Sequence, residues 1–207
     1  ETTRGELAVF HPWELGWSLP ESATVRFLPC LGGFVGSDIL AGILATRLDQ
    51  AAGLTGLIDL GTNGEIVFGD GHRMLCASTA AGPAFEGGRI SMGMRASSGA
   101  ISAVRLEGNR PVCHVIGDGA PRGICGSGLV DAAAAGLDLA IIASSGRLPD
   151  SWELAPPVVL TQADIRQLQL AKAAIAAGIR ILLKRLGAEL GDVQRVYLAG
   201  AFGNYVN

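Results

Sequence analysis

The chain has 207 residues, 49% of them apolar and 17% charged, which is enough apolar side chain for one packed core and sets a single domain as the expectation. Its net charge is −3 and no basic run exceeds Lys184-Arg185, so the footprint of a nucleic-acid or anionic-lipid binder is excluded. The longest apolar stretch, around Ala132 to Ala143, contains Asp138 and follows Asp131, which excludes a membrane span.

Residues 1–35 read as a connecting segment, irregular and rich in Trp and Pro, with a short strand expected over Thr24 to Leu28. Ser37 is placed to cap a helix running to about Gln50, with Ile39, Ile43, Leu44 and Leu48 among its apolar positions and Gly53 ending it. Leu54 to Leu60, Gly61-Thr62-Asn63-Gly64 and Glu65 to Phe68 then read as strand, tight turn and strand, because Asn-Gly between apolar runs is a strong hairpin signal. From His72 to Gly119 short apolar runs at 74–76, 101–106 and 112–116 alternate with glycine turns and are expected as strands. A helix follows from Leu129 to about Ala143. Thr161 with Asp164 resembles a capping box and opens the longest helix, in which Ile165, Leu168, Ile175, Ile179, Leu182 and Leu186 recur at helical spacing until Gly187. Val193 to Ala199 is expected as a buried strand. That order describes an α/β fold, a mixed sheet with helices packed on it.

Cys30, Cys76, Cys113 and Cys125 lie far apart with no C-x-x-C pair, so their spacing yields neither a zinc site nor an iron–sulfur site. They read as reduced, mostly buried thiols, the fragment is expected to carry no iron, and no signal peptide is visible, which points to the cytoplasm. Glu1 in place of a starting methionine, and an end at Asn207 shortly after a strand and glycine loop, read as truncation at both ends.

Thirty glycines cluster in apolar-flanked loops, where backbone can approach a ligand or another chain closely. Three such loops are candidates for chemistry, and none is a Walker A loop or a G-x-G-x-x-G fingerprint. In the first, Asp59 ends an apolar strand and Gly61, Thr62, Asn63 and Gly64 follow. Backbone N–H groups there could cradle phosphate while the carboxylate holds water on magnesium; the alternative is an ordinary type I′ hairpin whose Asp59 bonds the turn. In the second, Arg122 to Gly128 precedes a helix and could hold an anion, or Ser127 could cap the helix while Gly126 and Gly128 allow close packing. In the third, Gly200, Ala201, Phe202 and Gly203 follow a strand and could let a ring or sugar lie on backbone, or simply turn the chain.

Taken in order, residues 57–66 (LIDLGTNGEI), 76–87 (CASTAAGPAFEG), 123–131 (GICGSGLVD), 161–175 (TQADIRQLQLAKAAI) and 198–203 (LAGAFG) resemble the carboxyl-terminal domain of the reductive activators of corrinoid proteins. The resemblance runs from about Leu31 onward and implies one ribonuclease-H-like lobe, residues 36–207, of a two-lobed ATPase fold shared with acetate and sugar kinases, heat-shock chaperone ATPases and actin. It implies ATP or ADP with Mg as ligand. Asp59 to Glu65 would be the second phosphate loop, with Asp59 holding Mg through water. Gly200 to Gly203 would form the adenosine loop, while Gly126 and Ser127 remain candidates for the nucleotide from the helix-start reading above. The Thr62-Asn63-Gly64-Glu65 turn fits the corrinoid activators and differs from the kinases. Family members carry a 2Fe–2S ferredoxin domain at the amino terminus and reduce Co(II) corrinoid proteins to Co(I) for methyl transfer; a corrinoid methyltransferase protein is thus the implied partner, with homodimerisation open. The rival functions are a small-molecule kinase of the same superfamily and a non-enzymatic docking module.

Overall fold

The computed structural model describes residues 7–117 and 119–203. Residues 1–6 of the expected connecting segment and 204–207 of the expected lobe lie outside the described residues.

The amino-terminal segment forms an antiparallel pair, β1 (Ala8–Phe10) and β2 (Val25–Phe27), of which only the second was expected. Phe10 and Phe27 meet edge-on at 5.8 Å across it. Helix α1 (Ser37–Thr46) is shorter than its apolar pattern suggests, and Gly36, not Ser37, holds the cap position. Thr46 Oγ1 donates back to the Gly42 carbonyl at 2.8 Å and Arg47 takes a left-handed conformation, φ 53°. The break turns the chain into a 3-10 turn, Leu48–Gln50, that buries Leu48 completely.

β3 (Thr55–Leu60), β4 (Gly64–Gly69) and β5 (Met74–Thr79) form an antiparallel meander. Strand alternation divides their side chains: Leu57 and Val67 join Ile39 and Ile43 of α1 on one face, whereas Ile58, Ile66 and Phe68 occupy the other. β6 (Ala100–Glu107) and β7 (Arg110–Val115) pair antiparallel, and β8 (Gly123–Ile124) lies parallel to β6. This smaller sheet is covered by α2 (Gly126–Asp138). α2 starts three residues earlier than expected and stops well before Ala143. Ala140 adopts φ 55° and Ile142 N–H bonds the Gly136 carbonyl at 2.8 Å, which folds the chain back so that Ile142 packs with Leu148 and Ile165.

The hairpin β9 (Trp152–Ala155) and β10 (Val158–Leu160) closes the second core, where Ile101, Ile124, Leu129, Val158 and Leu160 are fully buried. α3 (Gln162–Leu186) then crosses both cores. Its start is the expected box: Thr161 Oγ1 accepts from Asp164 N–H, and Asp164 Oδ2 accepts from Thr161 N–H at 2.8 Å. Its end is Gly187 at φ 75°. Gly178 sits where the helix presses on the first sheet; a Cβ there would stand 2.9 Å from Ile66 Cδ1.

β11 (Arg195–Ala199) pairs parallel to β3, giving the order β11-β3-β4-β5, and leads directly into a short helix, α4 (Gly200–Gly203). The expectation of a buried strand is corrected here, because β11 lies at the sheet edge with Val196 and Leu198 each about half exposed. Of the cysteines only Cys125 is buried, against the expectation for most of them. Among the described residues no helix is long and apolar enough to cross a membrane.

Phe68 is 1% exposed between the sheet and α3. Phe68→Ala is therefore expected to cost about 3–5 kcal/mol in denaturant unfolding, while Val112→Ala on the open face of β7 stays within about 0.5 kcal/mol.

Candidate functional site

Parallel pairing sets Ala199 opposite Asp59, so the loop after β3 and the turn into α4 open at the same sheet edge. Gly200 makes that approach possible: it holds φ 82°, and a Cβ on it would run into Asp59 Oδ1. Beside this edge is a cleft of about 350 Å³, whose walls include Asp59, Gly61, Gly126, Ser127, Gly200 and Phe202. Three loops distant in sequence thus reach one cleft.

Other candidates stand around it without lining it. Gly64 already pairs with Leu60 on the strand, so the connection is the three residues Gly61 to Asn63, closed by Gly61 N–H to the Asn63 carbonyl at 3.0 Å. No residue of the turn has a positive φ, so the hairpin forms without type I′ geometry. Gly64 is small for packing, since a Cβ would stand 2.8 Å from Thr79 Oγ1 and 3.1 Å from Ile175. Thr62 Oγ1 donates to Glu86 Oε1 at 2.6 Å, tying the turn to a 3-10 segment, Pro83–Glu86. Glu65, opposite Asp59 on β4, accepts from Ser78 Oγ at 3.1 Å. Ala201 and Gly203 complete α4.

At the second loop, Cys125 and not Ser127 is the helix cap residue; Ser127 Oγ donates inward to the Ser102 carbonyl at 2.7 Å. Gly126 is required because a Cβ there would collide with the Phe85 carbonyl. Arg122 is spent elsewhere, with Nη2 donating to the Ser98 carbonyl at 2.7 Å.

Asp59 differs from these. Among the described residues no group donates to its carboxylate, and burial, followed by the negative charge of Asp38 on α1, raises its pKa above the usual carboxylate range. Asp59 is thus a half-buried carboxylate beside a second one, with no cation acting on it among the described residues. Among the described residues no cluster of three or more His, Cys, Asp or Glu gathers for a metal ion. Magnesium commonly needs only one or two carboxylates, keeping waters and substrate phosphates as its other ligands.

Among the cleft residues not singled out from sequence are Phe85, Glu86, Met94, Arg95 and Ala96. Phe85 and Phe202 bring their rings to 4.7 Å at 32°, forming an aromatic wall. Phe85 and Glu86 lie inside the segment 76–87 that carried part of the resemblance, which was the available signal. Arg95 had none beyond being one of two arginines in a Gly- and Ser-rich stretch.

An antiparallel meander joined by a parallel strand, helices on both faces, and glycine loops meeting at one edge define a mixed α/β lobe of the ribonuclease-H-like kind. Residues 54–207 match the family described as the C-terminal domain of RACo, the ASKHA domain, and the chain belongs to that family. It is 39% identical to the corrinoid activation enzyme RamQ of Eubacterium limosum over 89% of this chain and 36% of the relative. It is 33% identical to a Co(II) methylated amine-specific corrinoid protein reductase of Methanosarcina barkeri, over 86% of this chain and 37% of the relative. A solved reductive activator for a corrinoid iron–sulfur protein superposes with a TM-score of 0.82 at 35% identity, covering 96% of this chain and 36% of that one. The chain spans a little over a third of the length of each.

The raised pKa of Asp59 fixes the sign of a pH effect. Folding disfavours its ionised form, so the stability it contributes is fully present below the unfolded value, near ~3.9, and is lost as pH rises through the raised folded value. In magnesium- and nucleotide-free buffer, Asp59→Asn is thus expected to melt at or above the wild-type temperature at pH 7, with the difference shrinking as pH falls toward ~4. A variant melting several degrees lower at pH 7 would make the carboxylate a structural anchor instead.

Proposed function

We propose that this chain is the second nucleotide-binding lobe, residues 36–207, of an ATP-dependent activator that reduces Co(II) corrinoid proteins to Co(I) for methyl transfer. The observation that carries the reading is the unpaired, half-buried Asp59 carboxylate placed against Gly200 at a cleft of nucleotide dimensions. The family and the printed functions of the relatives support it.

In this reading Asp59 orients water on the magnesium ion. The turn from Gly61 to Gly64 lies beside the phosphates and offers the N–H groups of Thr62 and Asn63, that of Gly61 being used to close the turn, with the start of α2 at Gly126 and Ser127 adding its exposed N–H groups. The Gly200 to Gly203 turn, with Phe202 against Phe85, receives the adenosine. Magnesium, when bound, offsets phosphate charge. Thr62 and Glu65 hold the turn through Glu86 and Ser78. The 2Fe–2S cluster belongs to another part of the parent polypeptide and the corrinoid methyltransferase protein is the partner. Reduction of Co(II) to Co(I) is uphill; ATP binding or turnover then shifts the activator between states of different affinity for that partner.

The test uses the full-length protein with its corrinoid partner and a low-potential electron donor, following Co(I) formation by absorbance with and without Mg-ATP. ATP-dependent Co(I) formation is expected, with Asp59→Asn lowering Mg-dependent turnover at least ~10-fold while the apo fold stays intact. Co(I) formation indifferent to ATP, or phosphoryl transfer to a small acceptor, would overturn the reading. Residues 1–207 alone are expected to bind ATP at least ~100-fold more weakly than the full-length protein and to show no turnover, because one lobe leaves much of the phosphate charge to solvent and each ~1.4 kcal/mol of lost contact is tenfold in affinity. Calorimetry paired with a phosphate-release assay measures both.

A further inference from the structure

Resting on the nucleotide reading above, we infer that Arg95 is a phosphate-binding residue of the cleft, and that residues 87–94 form a rigid strap, locked by Asp164 and β8, whose purpose is to deliver it. Among the described residues Arg95 is the one basic side chain in the cleft wall. It stands free of the groups that occupy comparable cations: Arg122 is bonded to Ser98, whereas the Arg95 guanidinium donates to no protein group among the described residues. Nor is it consumed by Asp59, whose electrostatics are set by burial and Asp38.

The segment before Arg95 has no helix or long strand, yet it is held at nearly every residue. Ser91 gives its N–H to Asp164 Oδ1 at 2.7 Å and its hydroxyl to Asp164 Oδ2 at 2.5 Å. Met92 accepts from Ile124 N–H at 2.9 Å, and Met94 N–H returns to the Ile124 carbonyl at 2.9 Å, with Gly93 bridged to Ile124 between them. Gly93 turns over the Gly87 carbonyl so tightly that a Cβ would collide with it. Asp164 is 1% exposed and also accepts the N–H and hydroxyl of Thr161, each at 2.8 Å, so one buried carboxylate fastens the strap to the start of α3.

Such bracing would be idle if Arg95 were an ordinary surface cation. The cleft otherwise carries only the carboxylates Asp59 and Glu86, and a polyphosphate beside them needs a positive group from another wall. A guanidinium on a fixed backbone supplies planar, bidentate donors to phosphate oxygens. Asp164 acts through the strap and is a positioning residue.

Calorimetry on the full-length protein with Mg-ATP and, separately, adenosine tests this for wild type, Arg95→Met, Arg95→Lys, Asp164→Asn and Ser91→Ala. Arg95→Met is expected to weaken ATP about ten- to a hundredfold, the worth of a charge-assisted hydrogen bond, with adenosine affinity and melting temperature unchanged. Arg95→Lys should recover part of the loss. Asp164→Asn, and to a smaller degree Ser91→Ala, should lower ATP affinity while adenosine binding persists, a split that general destabilisation does not produce. If wild type binds ATP, Asp59→Asn weakens it and Arg95→Met binds within twofold of wild type, the inference is overturned and the nucleotide reading stands. If wild type binds no nucleotide, both fall. ATP affinity retained in a folded Asp164→Asn would overturn the strap.

Discussion

The structure depends on the parallel pairing of β11 with β3. Residues 195–199 meet residues 55–59, and the whole of the second sheet, α2 and α3 lies in the chain between them. Closing so long a loop costs entropy that only later contacts offset. α3 provides the return: its 25 residues span about 37 Å, and one continuous helix touches both cores before Gly187 releases the chain into β11. Without that pairing Asp59 would end an exposed strand, and the Gly200 turn would have nothing to approach.

Three aspartates show how the same side chain is put to different uses. Burial pushes the pKa of Asp164 up, but donors from Ser91 and Thr161 together outweigh it and hold the group below its usual range. Burial raises Asp131, with partial relief from the Val104 N–H and from Arg105. Asp59 has burial and the repulsion of Asp38, with no compensating donor. The first two are satisfied from within the fold; the third has no compensating donor among the described residues.

What could be read from sequence was local. The capping box at Thr161 and Asp164, the glycine stop at 187 and the strand-turn-strand at 55–69 are set by neighbours a few residues away, and each appears where its pattern lies. The failures are of another kind. Ser37 looks like a cap, but Gly36 takes that place; Ile142 continues an apolar run, but its burial beside Leu148 forces the helix to end at Asp138. β11 is apolar like an interior strand and lies at an edge, because strand order is not encoded in a strand's own composition. The aromatic wall of Phe85 and Phe202 pairs residues far apart in the chain, so only the assembled fold discloses it.

The cleft draws its walls from both sheets. Asp59, Gly61 and Gly200 come from the four-stranded sheet, whereas Cys125, Gly126 and Ser127 stand at the end of β8 in the three-stranded one. Thr62 to Glu86 and Phe202 to Phe85 are contacts between these halves at the cleft itself. A ligand seated there touches both, so its binding energy depends on their separation. Polar side chains nearby, Ser127 and Thr62, already have protein partners, which leaves backbone N–H groups, Asp59 and Arg95 as the groups without one among the described residues. Backbone groups cannot rotate away to accommodate a displaced ligand as long side chains can. Contacts of that kind hold only at one separation of the two sheets, which Thr62 to Glu86 and Phe85 to Phe202 fix at the cleft.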